Sequence, residues 1–310
     1  MNILKINFIS IYLISLVFLF VGKTYADTEV DRNYKSIEFL ALSQATITEA
    51  YESSQYLGFA VANHETKVAI DRIIHLLKTK IAADLDFKYI FLEMPGELNE
   101  TLYNFSTGVF PLKHMPLHMN NFWYEHYSKS SQYNYIFKNL FPIVQKINKN
   151  RPNNPIIISA IDGVSKFTYE IDLYRIKNKL KYIYLGSIDR EERTAANFIE
   201  ATSKDENKKG LIFYHYAHLL KQTKAMGLDY ELKEYKYTSL GWLDMVITQL
   251  PEISENVHVI LFDEADDKYN PDGVIVNGQF APNAYIRRYR NKTIITPEDI
   301  FECFDSLIQF

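Results

Sequence analysis

Five short apolar runs limit the fold of this chain more than any single motif does. They are Ser54–Ala62 (SQYLGFAVA), Phe87–Met94 (FKYIFLEM), Pro155–Asp162 (PIIISAID), Leu211–Tyr214 (LIFY) and Val257–Asp263 (VHVILFD). Runs of this length without polar alternation are what strands buried on both faces look like. Between the first two, His64 to Ala83 carries Val68, Ile70, Ile73, Ile74, Leu77 and Ile81 at helical spacing. Strands separated by helical stretches predict a three-layer α/β/α domain around a mainly parallel sheet. The closing SLIQF predicts one more strand, and Thr296-Pro297-Glu298-Asp299 has the cap, N1 proline and early acid of a helix start.

Pro111 to Asn150 breaks the rhythm: it has no strand pattern and is rich in aromatics, Met and His. It is expected to be a helical insertion over the sheet, either a substrate wall or simply a packed subdomain. His114, Met115, His118 and Met119 within it have the chemistry of a soft-metal or haem contact. Pro116 interrupts the four, however, so the simpler reading is packing.

The first 26 residues read as a signal peptide. Lys5 supplies a positive start, Ile6 to Gly22 is apolar, and Thr24-Tyr25-Ala26 has the form of a cleavage site. An uncleaved N-terminal anchor is the alternative. The expectation is export to the periplasm or medium, with residues 27–310 as a single domain and no stable membrane span after cleavage. The remaining 32 basic and 38 acidic side chains give a net negative charge, which argues against nucleic acid as a partner. Cys303 is the only cysteine, so a hydrophobic core rather than a disulfide must hold the domain.

Ligands of open parallel sheets bind at the carboxyl ends of the strands. The runs here end in Asn63-His64-Glu65, Glu93, Asp162-Gly163, His215 with His218 three residues on, and Asp263-Glu264. Imidazoles beside carboxylates suit activation of a water molecule for attack on a small-molecule substrate. The same groups suit a divalent metal such as zinc or manganese, and the spacing alone does not choose.

The motifs LGFAVANHETK, YIFLEMP, IIISAIDG, REERTAANFIEA and GLIFYHYAHLLK, with FECFDSLIQF at the end, follow in order those of the erythromycin esterase-like proteins. The chain resembles that group, which is related to the ChaN and Tiki families of haem-binding and metalloprotease-like proteins. The resemblance implies His64, Glu93, His215 and His218 as catalytic residues, and Arg193 and Asn197 as substrate-binding; Asp162, at the end of its run, is a further substrate-binding candidate, with a turn before Gly163 as the plainer reading. His64, Glu93 and His218 are the candidate ligands if the protein depends on a metal. Hydrolysis of an ester or amide follows, with His64 as base and His215 and His218 as acid or oxyanion donors. A non-catalytic haem or metal binder is the alternative. One departure matters: Val61 stands where the esterases carry glutamate three residues before the first histidine, and Tyr216 stands where they have asparagine.

Overall fold

The structure is a computed structural model. It describes residues 43–61, 67–119, 121–165, 187–205, 207–221, 229–232, 235–238, 241–263, 274–276 and 304–309. The segment read as a signal peptide, His64 with Asn63 and Glu65, the Thr296–Asp299 helix start and Cys303 lie outside these residues. From Ala45 onward the chain forms one compact unit.

All five apolar runs are strands of one sheet: β1 (Tyr56–Val61), β2 (Phe87–Pro95), β3 (Ile157–Asp162), β4 (Lys209–His215) and β7 (Val257–Asp263). The closing run adds β9 (Ser306–Gln309), and a short β8 (Val274–Val276) completes the order β3-β2-β4-β1-β7-β9-β8. Six strands are parallel, and β8 alone pairs antiparallel, at the edge on β9. A separate ribbon joins β5 (Asp229–Leu232) to β6 (Tyr235–Thr238). Every residue of β1 is buried, because helices cover the sheet on both sides, and that is why its sequence shows no polar alternation.

The helices that position the strand ends are α1 (Val68–Thr79), α2 (Asn99–Ser106), α3 (Phe141–Asn148), α4 (Ser187–Ser203) and α5 (Trp242–Gln249). The β1-to-β2 connection through α1 and the β3-to-β4 connection through α4 step in opposite directions along the sheet. Right-handed crossovers therefore put α1 and α4 on opposite faces, which gives three layers. On the α4 face, Phe198 meets Phe91 (ring centres 5.0 Å), Trp242 (5.2 Å) and Tyr56 (5.3 Å). Ala195, Ile212, Tyr214, Leu243 and Val246 fill the core around them.

The insertion is helical, as expected. Helical turns run through Leu112–His114, Met115–His118, Asn121–Lys129 and Ser131–Tyr135, then through a wide π turn, Ile136–Leu140, into α3. Two side chains tie it to the end of β2: Tyr133 donates its hydroxyl to the Glu93 carbonyl at 2.5 Å, and Trp123 donates its indole N–H to Glu97. No described helix is long and apolar enough to cross a membrane.

Candidate active site at the strand carboxyl ends

Parallel pairing brings the carboxyl ends of β3, β2, β4 and β1 to one edge, and the polar residues that end them meet there. In the register of β1 on β4, Val61 lies opposite His215. The register of β2 shifts between Leu92 and Pro95, so Glu93 sits at an irregularity rather than within a regular ladder.

Glu93 is the hub. One carboxylate oxygen accepts from the backbone N–H of His215 at 2.8 Å, and the other accepts from the Arg190 guanidinium at 3.0 Å. Arg190 also grips Asp162 through two nitrogens, Nε to Oδ1 at 2.7 Å and Nη2 to Oδ2 at 2.5 Å. Two-pronged pairing of this kind fixes direction as well as charge. Burial works against the Arg190 charge, but Asp162 and Glu93 outweigh it and hold the guanidinium above its ordinary pKa. Asp162 also accepts from Val164 N–H at 3.0 Å.

His218 is the second focus. Its Nδ1 lies 2.6 Å from Glu191 Oε1, and its Nε2 lies 3.8 Å from Glu93. The other Glu191 oxygen accepts from Trp242 N–H at 3.0 Å, so the first turn of α5 locks the carboxylate that orients the imidazole. Burial, the strongest influence, disfavours the imidazolium, and Arg190 adds to that. Glu191 and Glu93 more than offset both and raise the His218 pKa above its ordinary value. Held in this way, His218 favours the protonated, donating form. The His215 ring stands 6.0 Å from the His218 ring, centre to centre, and Tyr214 meets His218 edge-on at 5.8 Å.

Glu93, His215, His218 and Asp162 thus meet at one edge, while His64 lies outside the described residues. Arg193 is exposed, and its Cβ packs over Gly163. Arg190, one helical turn before Arg193, brings its guanidinium to Glu93. Asn197 spends its amide on the Ile161 carbonyl of β3 at 3.0 Å, a link between helix and strand. Arg190 and Glu191 are the residues that sequence reasoning passed over. A signal for Glu191 was present: it falls on the same helical stripe as Thr194, Ala195, Phe198 and Thr202, all buried.

For a metal ion the described part of the site is a poor match. Glu93 and Asp162 already carry Arg190, and a cation entering there would have to displace the guanidinium. Among the described residues no three His, Cys, Asp or Glu side chains are grouped to hold an ion.

No protein-family profile matches the sequence, and no curated protein does. Among solved structures, an erythromycin esterase variant in its open conformation aligns with a TM-score of 0.56 at 9% identity, over 86% of this chain and 92% of its own. The fold is the erythromycin esterase-like fold. A succinoglycan biosynthesis protein shares it, with a TM-score of 0.52 at 10% identity, over 86% of this chain and 89% of its own. ChaN of Campylobacter jejuni, described with cofacially bound haem, is more distant: TM-score 0.36 at 9% identity, over 86% and 90% of the two chains. At these identities the likeness extends to the erythromycin esterase-like fold alone, and residue roles rest on the geometry above.

Proposed function

We propose that this chain is an exported hydrolase that cleaves an ester or amide bond in a small molecule, using a histidine-activated water at the strand carboxyl ends. The observation that carries the reading is the pairing of His218 with buried Glu191, which orients the imidazole and favours its protonated form. A structural histidine would not need a buried carboxylate on Nδ1 while its Nε2 stands beside a second one.

In this reading His64 takes a proton from water, which attacks the substrate carbonyl carbon. The His218 imidazolium donates to the oxyanion that forms, with the His215 ring as a second donor. Collapse of the intermediate breaks the bond to the leaving group, which picks up the proton that His64 took from water, so His64 and His218 both return to their starting forms. Glu93 and Arg190 keep the strand ends in register around the reacting centre. His64 acts without the carboxylate that the esterases place three residues upstream, since Val61 there is apolar and 1% exposed.

That same valine supports the second reading, a non-catalytic haem or metal binder. A panel of chromogenic esters and lactones separates the two. A hydrolase should lose about 10²–10⁴-fold in kcat in His64→Ala and in His218→Gln, the usual range for a removed acid or base. Val61→Glu should preserve or raise turnover by increasing the basicity of His64. Absence of turnover in wild type and Val61→Glu, together with stoichiometric haem uptake seen as a Soret band, would establish the binder instead.

A further inference from the structure

The insertion holds a second histidine pair, remote in sequence from the strand ends. His114, Met115, His118 and Met119 do not share one face, yet Pro116 leaves the two histidines side by side. Proline fits the first turn of the Met115–His118 helix, where its missing N–H costs nothing, and the turn closes with Met119 N–H on the Met115 carbonyl at 2.9 Å. His114 and His118 therefore stand one turn apart on the outer face, their ring centres 6.4 Å apart. Met115 and Met119 point the other way, into the core, at 4% and 1% exposure.

Among the described residues, neither ring has a hydrogen-bond partner on its nitrogens. His218 and His258 differ in this, being committed to Glu191 and to Ser306. His118 is nonetheless held in place: it lies flat on Phe110 (ring centres 3.8 Å, planes 7° apart) with Phe105 edge-on at 6.0 Å. A ring fixed by stacking with its nitrogens open is preorganised for a ligand that needs imidazole lone pairs.

We propose that His114 and His118 form a solvent-facing site for a borderline divalent transition-metal ion, Cu(II) first, then Ni(II) or Zn(II). Histidines at i and i+4 on one helical face are a recurring chelating pair. Metal–nitrogen bonds of about 2.0–2.1 Å would place two rings on a shared ion roughly 5 Å apart between centres. A modest turn of the partly exposed His114 about its side-chain bonds closes the gap from 6.4 Å. The buried thioethers cannot join, so the donor set is two nitrogens completed by water. Such a set follows the Irving–Williams order rather than selecting a soft ion.

The test is calorimetric titration of the untagged full-length chain with CuSO4 and with ZnCl2, near neutral pH in a non-coordinating buffer. One Cu(II) per chain should bind, more tightly than Zn(II). His114→Gln and His118→Gln should each weaken Cu(II) by at least about tenfold, as loss of a ligand exceeds the effect of disturbing an outer-shell partner. His218→Gln should retain the site. The electron paramagnetic resonance spectrum should report two imidazole nitrogens in wild type and one in either variant, provided their melting curves match wild type. Absence of binding, unchanged affinity in both variants, or loss of the ion on His218→Gln instead would each overturn the proposal.

Discussion

Glu191→Gln isolates the interaction on which the site electrostatics turn. In the wild-type protein Glu191 is 4% exposed and accepts from both the His218 ring and Trp242 N–H. Glutamine keeps the shape and still accepts from Trp242, but it removes the charge opposite the imidazolium. A hydrogen bond to a charged group contributes about 1.5–3 kcal/mol, and that sets the scale of the loss below neutral pH. The full penalty of an orphaned buried charge does not apply, because His218 escapes it by giving up its proton.

The sign follows from the cause of each shift. In wild type the folded pKa of His218 lies above its unfolded value. The pair's contribution is therefore fully present below the ordinary histidine range and is lost as pH rises through the raised folded value. In Glu191→Gln, burial and Arg190 remain and disfavour the charge more than Glu93, the weakest of these influences, favours it, so the folded pKa should drop below the ordinary value. The variant should then be destabilised most at mildly acidic pH and should approach wild type as pH rises. Urea unfolding across this range, with the His218 ring followed by NMR, tests both points. An unchanged His218 titration midpoint in Glu191→Gln would refute the assignment of Glu191 as the group that holds the proton there.

Two further outcomes follow from packing. Gly163 has no room for a methyl group: a Cβ would collide with the Arg190 carbonyl oxygen and crowd the Arg193 Cβ, so Gly163→Ala should cost about 1–3 kcal/mol and loosen Arg190 from Asp162, measured by chemical denaturation. Phe198→Ala would empty the space shared by Tyr56, Phe91 and Trp242, and should cost about 3–5 kcal/mol in the same measurement.

The sheet was legible because its strands are buried on both faces. Runs such as Leu211–Tyr214 need no partner information to read as strands, and the structure extends this one only to Lys209–His215. The convergence of Glu93, His215 and His218 was legible for a related reason, since parallel strands have one carboxyl edge. The rotation of α4 about its axis was not legible. Arg190 and Arg193 are one turn apart, and only packing against β2 and β3 brings Arg190 onto Glu93 and Asp162. Glu191 stands in a charged stretch, and only the burial of Thr194, Ala195 and Phe198 beside it shows that it faces inward. The β5–β6 ribbon and β8 were missed because four and three residues carry too little pattern against local propensity. Pro116 was read as a break, although a proline in the first turn of a helix is well accommodated.

The amide of His215 carries a consequence of its own. Most peptide protons in a parallel sheet face a neighbouring carbonyl, whose electronic state never changes. This one faces the Glu93 carboxylate at 2.8 Å, a group that responds to protonation and to whatever approaches Arg190 or His218. Its nitrogen and proton frequencies are therefore a built-in gauge of the cluster. A single backbone resonance reads out events at the strand ends with no label attached there and no side chain altered.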